Sequence, residues 1–248
     1  MTETTKRTTK VWAHRGASAY APENTLEAFR LGAEQGADGV ELDVQLSKDG
    51  QLVVIHDETI DRVSDGHGYV RDYTLEELKK FVFNKTHPEY ADARIPTLGE
   101  VYDLLKPLGL EINVEIKTGI YFYPGIEEKL YLLEKEKGMQ GKIIYSSFNH
   151  YSVMKMREYD PAARTGLLYA DGFQDVPGYA AGLGADALHP VLYNLQYDGF
   201  LEACREKNLL LHVWTVDDEK YMKLLVKEGI DAIITNKPDV ARKIVDNT

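Results

Sequence analysis

Two short segments of the chain place charged side chains at alternate positions of an otherwise apolar run. Glu41 and Asp43 stand two residues apart in GVELDVQL, and Glu115 and Lys117 repeat that spacing in NVEIK. Side chains two apart on a β-strand project from the same face. Burying an isolated carboxylate is costly unless the group is paired or bound to a metal. Three carboxylates and one lysine leave an excess of negative charge, which a divalent cation would neutralise.

The type of ligand narrows the choice of metal. Three carboxylates without a thiolate suit a hard, oxygen-seeking cation, Mg²⁺ or Ca²⁺. The chain has one cysteine, Cys204, which we expect to be a small buried apolar residue. The alternative for the acidic residues is a structural ion network, in which Glu41 or Glu115 pairs with Lys117 or Arg15. Three carboxylates grouped at strand ends favour the metal site. In the barrel fold that the strand pattern predicts below, polar clusters at the carboxyl ends of the strands are usually catalytic.

Two histidines end apolar runs, and we expect them to lie near the carboxylates at the carboxyl ends of the strands. His14 ends VWAH, and His56 ends LVVIH. Histidine is suited to proton transfer near neutral pH, so the pair could act as base and acid on opposite sides of a scissile bond. The alternative is a hydrogen-bonded structural histidine, and this interpretation applies to His189 and His212, which also lie in apolar runs.

Basic and aromatic neighbours suggest what the site would bind. Arg15 follows His14 directly, and a guanidinium group binds phosphate oxygens in a bidentate manner. Together with Lys117, the two histidines and the three carboxylates, Arg15 indicates a site that binds a phosphate diester. Trp214, which ends LLLHVW, is a candidate apolar wall for the organic part of the substrate, with core packing as its alternative.

Short apolar runs alternate with amphipathic stretches along the chain. Counting GVELDVQLS with QLVVIHD as one unit, the strand-like runs are eight: VWAHRG, that unit, EINVEIK, KIIYSSF, RTGLLYA, ADALHPV, LLLHVWTV and DAIITNK. Apolar runs that alternate with helices indicate parallel strands covered by helices. Eight units predict an α/β fold, a closed (β/α)8 TIM barrel. A doubly wound open sheet is the alternative, but no Gly-rich dinucleotide or phosphate-binding motif follows a strand.

One segment interrupts the alternation, at about residues 58–96. It is too long for an ordinary connection between a strand and a helix. Thr74 and Glu77 have the spacing of a capping box, which predicts a helix start, and Thr97 and Glu100 repeat that spacing at the next helix. We interpret the segment as a small insertion after the second strand unit that covers the site. The sequence has no low-complexity linker, so we expect residues 1–248 to form a single domain.

The overall composition limits the possible partners. The 248 residues carry a formal net charge of −11, which argues against nucleic acid or an anionic membrane as a partner. No stretch approaches the roughly 20 apolar residues of a membrane helix. The N-terminal MTETTKRTTK leads into the first strand without the apolar core of a signal peptide. We therefore expect a cytoplasmic protein without a stable membrane anchor, and the oligomeric state stays open.

Six motifs in this order closely resemble the glycerophosphodiester phosphodiesterase family: HRGASAYAPENTLEAF, ELDVQLSKDGQLVVIHDETIDRVSDGHGYVRDYTLEEL, IPTLGEV, NVEIK, VWTVD and TNKPD. The match runs collinearly from about residue 11 to 240. It implies a (β/α)8 barrel with a small insertion. It also implies that seven residues form the active site: the cation ligands Glu41, Asp43 and Glu115, the acid–base pair His14 and His56, and the phosphate ligands Arg15 and Lys117.

The resemblance also implies the reaction. A glycerophosphodiester such as glycerophosphocholine or glycerophosphoethanolamine would be hydrolysed to sn-glycerol 3-phosphate and an alcohol. The attacking nucleophile is either water or the 2-hydroxyl of the substrate's own glycerol, which would give a cyclic phosphate that is then opened. The sequence leaves open which histidine is the acid and which the base.

Three other functions remain as alternatives. A lysophospholipase D or sphingomyelinase D type of enzyme would keep the same core and need an apolar channel, for which Phe81, Val82 and Phe83 are candidates. The same stretch, TLEELKKFVF, could equally be one amphipathic helix packed on the barrel. A non-catalytic phosphate-binding barrel would tolerate loss of His14 or His56, yet both are present. Sugar-phosphate isomerase and aldolase barrels lack such a carboxylate cluster.

Overall fold

The computed structural model describes residues 9–248. The strands within that range are β1 Lys10–His14, β2 Gly39–Leu46, β3 Leu52–Val54, β4 Glu111–Ile116, β5 Ile143–Ser147, β6 Arg164–Tyr169, β7 Ala187–Pro190, β8 Leu210–Val213 and β9 Ala232–Thr235. The α-helices are α1 Leu26–Glu34, α2 Leu75–Leu78, α3 Leu98–Leu105, α4 Ile126–Lys137, α5 His150–Tyr159, α6 Val176–Leu183, α7 Phe200–Glu206, α8 Glu219–Glu228 and α9 Pro238–Asp246. None of the described helices is both long and apolar enough to cross a lipid bilayer.

All strands except β3 pair in parallel and close on themselves. The sheet order is β1-β9-β8-β7-β6-β5-β4-β2, and β1 also pairs with β2. A helix follows each of these eight strands along the chain, with α2 as an additional helix in the inserted segment. The predicted (β/α)8 barrel is therefore confirmed. Because the strands are parallel, their carboxyl ends meet at one face, where the site of such a barrel lies.

β2 and β3, which the sequence predicted as one strand unit, form an antiparallel hairpin. Val44 lies opposite Val54, and Leu46 lies opposite Leu52. β2 extends beyond the barrel, and β3 returns along it toward the barrel. The amide of Ile55 then donates to the carbonyl of Asp43 at 2.9 Å. His56 therefore reaches the carboxylates from an antiparallel strand rather than from the end of a barrel strand.

Alternation along β2 separates apolar from polar side chains. Val40, Leu42, Val44 and Leu46 belong to a buried apolar cluster with side chains of α1, α3 and α4. The intervening Glu41, Asp43 and Gln45 occupy the other face of the strand. A second buried cluster includes Cys204 of α7, which is fully buried as an apolar residue, in agreement with its expected role.

Trp12, His189 and His212 form an aromatic cluster in the interior of the barrel. His212 Nδ1 lies 2.8 Å from His189 Nε2, and the ring centroids of Trp12 and His212 are 4.4 Å apart. Gly166 makes room for this cluster, because a Cβ atom there would lie 2.3 Å from His189 Nε2. Burial lowers the pKa of His189 to about 3, and it lowers that of His212 as well. Both rings are therefore packed in the neutral form.

The inserted segment has a small apolar core of its own. Phe83 is buried there with Leu78, Val70 and Ile60, and Phe81 packs against them. Both predicted capping boxes are present, at Thr74–Glu77 and at Thr97–Glu100. The interpretation of TLEELKKFVF as one helix is wrong, because α2 ends at Leu78. The chain beyond it turns so that the two phenylalanines enter the small core.

The neutral, buried state of His189 makes the stability of the fold pH-dependent. The unfolded chain binds a proton below the ordinary histidine pKa of about 6.5, whereas the folded chain does not bind it until about pH 3. We therefore expect His189 to reduce the free energy of unfolding by about 2 kcal/mol between pH 7 and pH 5. Urea titrations at both pH values should show this loss in the wild type and a smaller loss in His189→Gln. His67→Gln, at an exposed position, is the control, and equal pH dependence in all three proteins would contradict the expectation.

Candidate active site

The structure brings the sequence-predicted site residues together at the carboxyl face of the barrel. A small cavity there is lined by six of them: His14, Arg15, Glu41, His56, Glu115 and Trp214. Asp43 is fully buried, and Lys117 binds Glu115 with an Nζ–Oε1 distance of 2.8 Å. Neighbouring strands supply the charged groups, so the site forms when β1, β2 and β4 pair.

Three buried carboxylates form the acidic side of the site. One oxygen from each of Glu41, Asp43 and Glu115 lies within 4.8 Å of the other two. Asp43 Oδ2 accepts a hydrogen bond from Asn24 Nδ2 at 2.8 Å, whereas Asp43 Oδ1 has no hydrogen-bond partner and lies 3.8 Å from Lys117 Nζ. A set of oxygen ligands with an unsatisfied carboxylate oxygen fits a hard divalent cation.

The pKa values of the three acids show how unequally the charge is compensated. Burial and then Asp43 raise the pKa of Glu41, and they also raise the pKa of Glu115 in spite of Lys117. Burial alone would raise the pKa of Asp43 as well, but Arg15 and Lys117 hold it below its ordinary value. The two basic groups therefore compensate Asp43 best. A bound divalent cation would stabilise the ionised forms of the other two acids.

His14 is held by a chain of polar groups from the last two barrel strands. Its Nδ1 lies 2.7 Å from Asn236 Oδ1. The side-chain Nδ2 of Asn236 donates to Asp217 Oδ2, and the backbone N–H of Asn236 donates to Asp217 Oδ1 at 2.8 Å. Because the Asn236 side chain donates to this carboxylate, its oxygen faces His14 and accepts the Nδ1–H. His14 Nε2 lies 3.9 Å from Glu41 Oε2, on the side of the carboxylates. Burial and then Arg15 lower the pKa of His14 to about 4, so its ring is neutral at neutral pH.

His56 has a different kind of partner. Its Nδ1 lies 2.6 Å from Asp57 Oδ1, and Arg62 Nε donates to Asp57 Oδ2 at 2.6 Å. Burial opposes ionisation of Asp57, but hydrogen bonds from Arg62 and His56 lower its pKa to about 2. Arg62 and Arg15 also share Glu23, through contacts of 2.7 and 2.9 Å. His56 therefore rests against an ionised carboxylate, whereas His14 rests against an amide.

The opposite wall of the cavity is apolar. The Trp214 indole Nε1 donates to the carbonyl of His189 at 2.7 Å, which fixes the ring. Phe148 packs edge-on against Trp214, with ring centroids 5.7 Å apart. Both side chains line the cavity with Leu168. Within the described chain, no residue of 58–96 lines the cavity, and the insertion reaches the site instead through Arg62 at its flank.

Four polar residues of this arrangement were not assigned from sequence: Asn24, Asp57, Asp217 and Asn236. Each belongs to a motif that carries the family resemblance, namely PENT, VIHD, VWTVD and TNKPD. Asp57, Asp217 and Asn236 also follow strand-like runs, which is the signal that could have identified them. Asp57 lies beside its partner His56 in sequence, whereas 222 positions separate Asn236 from His14.

Comparisons with known proteins show the family to which the chain belongs. A model of the glycerophosphoryl diester phosphodiesterase family matches residues 14–240. The glycerophosphodiester phosphodiesterase of Caldanaerobacter subterraneus subsp. tengcongensis is 46% identical over 238 residues, 96% of this chain and 98% of that protein. The structure of the enzyme of that name from Agrobacterium tumefaciens has a TM-score of 0.84 at 28% identity and covers 95% of this chain and 99% of its own. A phosphodiesterase of Oleispira antarctica, solved with the product sn-glycerol-3-phosphate, has a TM-score of 0.83 at 28% identity, with 96% of each chain covered.

The family match over residues 14–240 makes the chain a phosphoric diester hydrolase, and its three buried carboxylates form a group that could hold a divalent cation. The chain belongs to the glycerophosphoryl diester phosphodiesterase family and is an enzyme that hydrolyses glycerophosphodiesters. This family match disfavours the non-catalytic phosphate-binding barrel and the isomerase or aldolase barrels.

The repulsion within the acidic cluster makes cation binding measurable without an activity assay. We expect Mg²⁺ or Ca²⁺ to raise the melting temperature of the wild type, because binding at about 100 times Kd adds about 2.7 kcal/mol of stability. In Glu41→Gln the melting temperature without a cation should be at least that of the wild type, and the rise on adding cation should shrink. Glu134→Gln is the matched control, because Glu134 is a buried acid of α4 bonded to Tyr145. Equal rises in the wild type and Glu41→Gln would contradict the assignment.

Proposed function

We propose that the enzyme releases sn-glycerol 3-phosphate and an alcohol from small glycerophosphodiesters by general acid–base catalysis with His14 and His56. Glu41, Asp43 and Glu115 would bind the divalent cation, Mg²⁺ or Ca²⁺. The observation that carries the proposal is the convergence of both histidines and two of these carboxylates on one cavity. The product bound in the related phosphodiesterase of Oleispira antarctica supports the choice of substrate.

Charge stabilisation is the main requirement, because a phosphodiester is an anion with a poor leaving group. When bound, the divalent cation would stabilise negative charge on the phosphoryl oxygens. Arg15 lines the cavity and Lys117 lies beside Glu115, and these positions support a role for both in binding the phosphate. Their ion pairs with Asp43 and Glu115 keep them charged and oriented before the substrate arrives.

The Nδ1 partners support distinct roles for the two histidines. A neutral His14 that donates its Nδ1–H to Asn236 has a free lone pair on Nε2, so we propose His14 as the general base. The Asp57 carboxylate holds the His56 ring through its Nδ1, so we propose His56 as the general acid for the leaving alcohol. Either nucleophile, water or the glycerol 2-hydroxyl, would give its proton to His14.

Variants of the two histidines test these roles. His14→Ala and His56→Ala should each lower kcat about 100-fold or more while the cation-induced rise in melting temperature persists. A nitrophenyl ester, whose leaving group needs no proton, should partly restore turnover in His56→Ala and leave His14→Ala impaired. His67→Ala is the control. Near-wild-type kcat in either variant would return that histidine to a structural role, and rescue of His14→Ala instead would reverse the assignment.

Substrate choice should follow from the two sides of the cavity. The site binds the phosphate half of the diester through charged groups, and Trp214 and Phe148 form the apolar wall. Phe81 and Phe83, the candidates for an acyl channel, are occupied in the core of the insertion. We therefore expect choline, ethanolamine and glycerol headgroups to be accepted, and diesters without the glycerol unit to be disfavoured. Values of kcat/KM for glycerophosphocholine, bis(4-nitrophenyl) phosphate and a long-chain lysophospholipid would decide this, and a clear preference for the last would indicate a lysophospholipase D.

We also propose that the enzyme acts in the cytoplasm on a small molecule in solution, without nucleic acid or a membrane anchor as a partner. The net charge of −11 supports this, since an acidic protein is repelled by nucleic acid and by anionic lipid surfaces.

A further inference from the structure

Gln45 is the third inward-facing side chain of β2, after Glu41 and Asp43, and it is fully buried. Its Nε2 lies 3.2, 3.0 and 2.7 Å from the carbonyl oxygens of Ile55, His56 and Asp57. The two N–H groups of one side-chain amide are therefore shared among three consecutive carbonyl groups of the chain. These three residues include His56 and its carboxylate partner.

The contacted segment has left the regular ladder of β3. Its last β-type bond to β2 is the one from the Ile55 amide to the Asp43 carbonyl. Beyond this point Gln45 supplies donors to the backbone carbonyls, which need partners where water is excluded. The His56 side chain itself is 32% exposed and rests against its own neighbour Asp57. The position of the His56 ring therefore depends on how firmly this backbone is held.

The orientation of Gln45 is set from the loop that follows β4. The Tyr123 hydroxyl donates to Gln45 Oε1 at 2.9 Å, so the amide nitrogen of Gln45 must face the carbonyls. Tyr123 is buried, and its φ of 44° lies in the left-handed region that non-glycine residues rarely adopt. Such backbone conformations persist where the surroundings fix them, and they concentrate at functional sites.

We propose that Gln45 and Tyr123 are positioning residues that hold His56 at its distance from the carboxylates of β2 and β4. Gln45 lies on the strand of Asp43, and Tyr123 lies on the loop that continues from the strand of Glu115. The pair thus links the acid–base group to both strands of the acidic cluster. This inference rests on the role proposed above for His56.

Tyr123→Phe removes one hydroxyl group and keeps the ring. Loss of a single hydrogen bond of this kind should lower kcat about 3- to 10-fold for glycerophosphocholine. We expect KM and the cation-induced rise in melting temperature to stay within about twofold of the wild type, and the loss to shrink with a nitrophenyl ester. Gln45→Met, which removes all the donors, should lower kcat further. Tyr145→Phe is the matched control, since Tyr145 is a buried tyrosine whose hydroxyl donates to Glu134 at 2.9 Å, and its kcat should be unchanged.

A double variant separates positioning from general destabilisation. If Tyr123 acts through His56, Tyr123→Phe should cause no further loss of kcat in the His56→Ala background. An equal fractional loss in both backgrounds, or an effect on KM alone, would overturn the inference. Unchanged kcat in Tyr123→Phe beside an inactive His56→Ala would overturn this inference and leave the proposed function intact. Near-wild-type turnover of His56→Ala would instead overturn the role of His56, and the inference with it.

Discussion

The mutual repulsion of three buried carboxylates governs the arrangement of the active site. Asp43 and Glu115 are register partners of β2 and β4, so pairing of the two strands places their carboxyl groups side by side. At an effective dielectric constant of about 20, two unit charges about 4 Å apart repel by about 4 kcal/mol. Arg15, Lys117 and Asn24 contact Asp43 and reduce this cost. The remaining excess of negative charge supports the proposal that the cluster holds a divalent cation.

The same negative charge also orients the neighbouring basic side chains of Arg15 and Lys117. Ion pairs with Asp43 and Glu115 hold Arg15 and Lys117 in place, so the phosphate-binding role proposed for them would require little reorganisation. Arg15 also shares Glu23 with Arg62 of the insertion. The insertion thus contributes to the electrostatics at the flank of the site. The apolar side chains of the insertion pack in its own small core and do not line the cavity.

The two histidines of the site, His14 and His56, have different hydrogen-bond partners. His14 donates to an amide that Asp217 holds in place, whereas His56 donates to a carboxylate that Arg62 keeps ionised. Burial and the neighbouring Arg15 lower the pKa of His14, so its ring is neutral at neutral pH. His14 and His56 also lie on different kinds of strand. His14 ends a barrel strand, and His56 arrives on the antiparallel return of the β2–β3 hairpin.

Features that depend on neighbours in sequence were determined by the sequence alone. The spacing of two between Glu41 and Asp43 places both on one face of a strand in any fold that keeps the strand, and the capping boxes at Thr74 and Thr97 need only three residues of context. The alternation of eight apolar units with helices was enough to predict a closed barrel, because parallel strands buried on both faces have few other arrangements.

What depends on which strands become neighbours was decided by the tertiary structure. Asn236 reaches His14 because β9 closes the barrel against β1, 222 positions away along the chain. Gln45 meets Tyr123 across 78 positions, and no local pattern indicates that its amide serves the backbone around His56. The end of α2 at Leu78 was likewise set by packing, because burial of Phe83 in the core of the insertion outweighs the helical periodicity of the segment. A hydrogen bond is specific to its partner, and that partner is known only once the chain has folded.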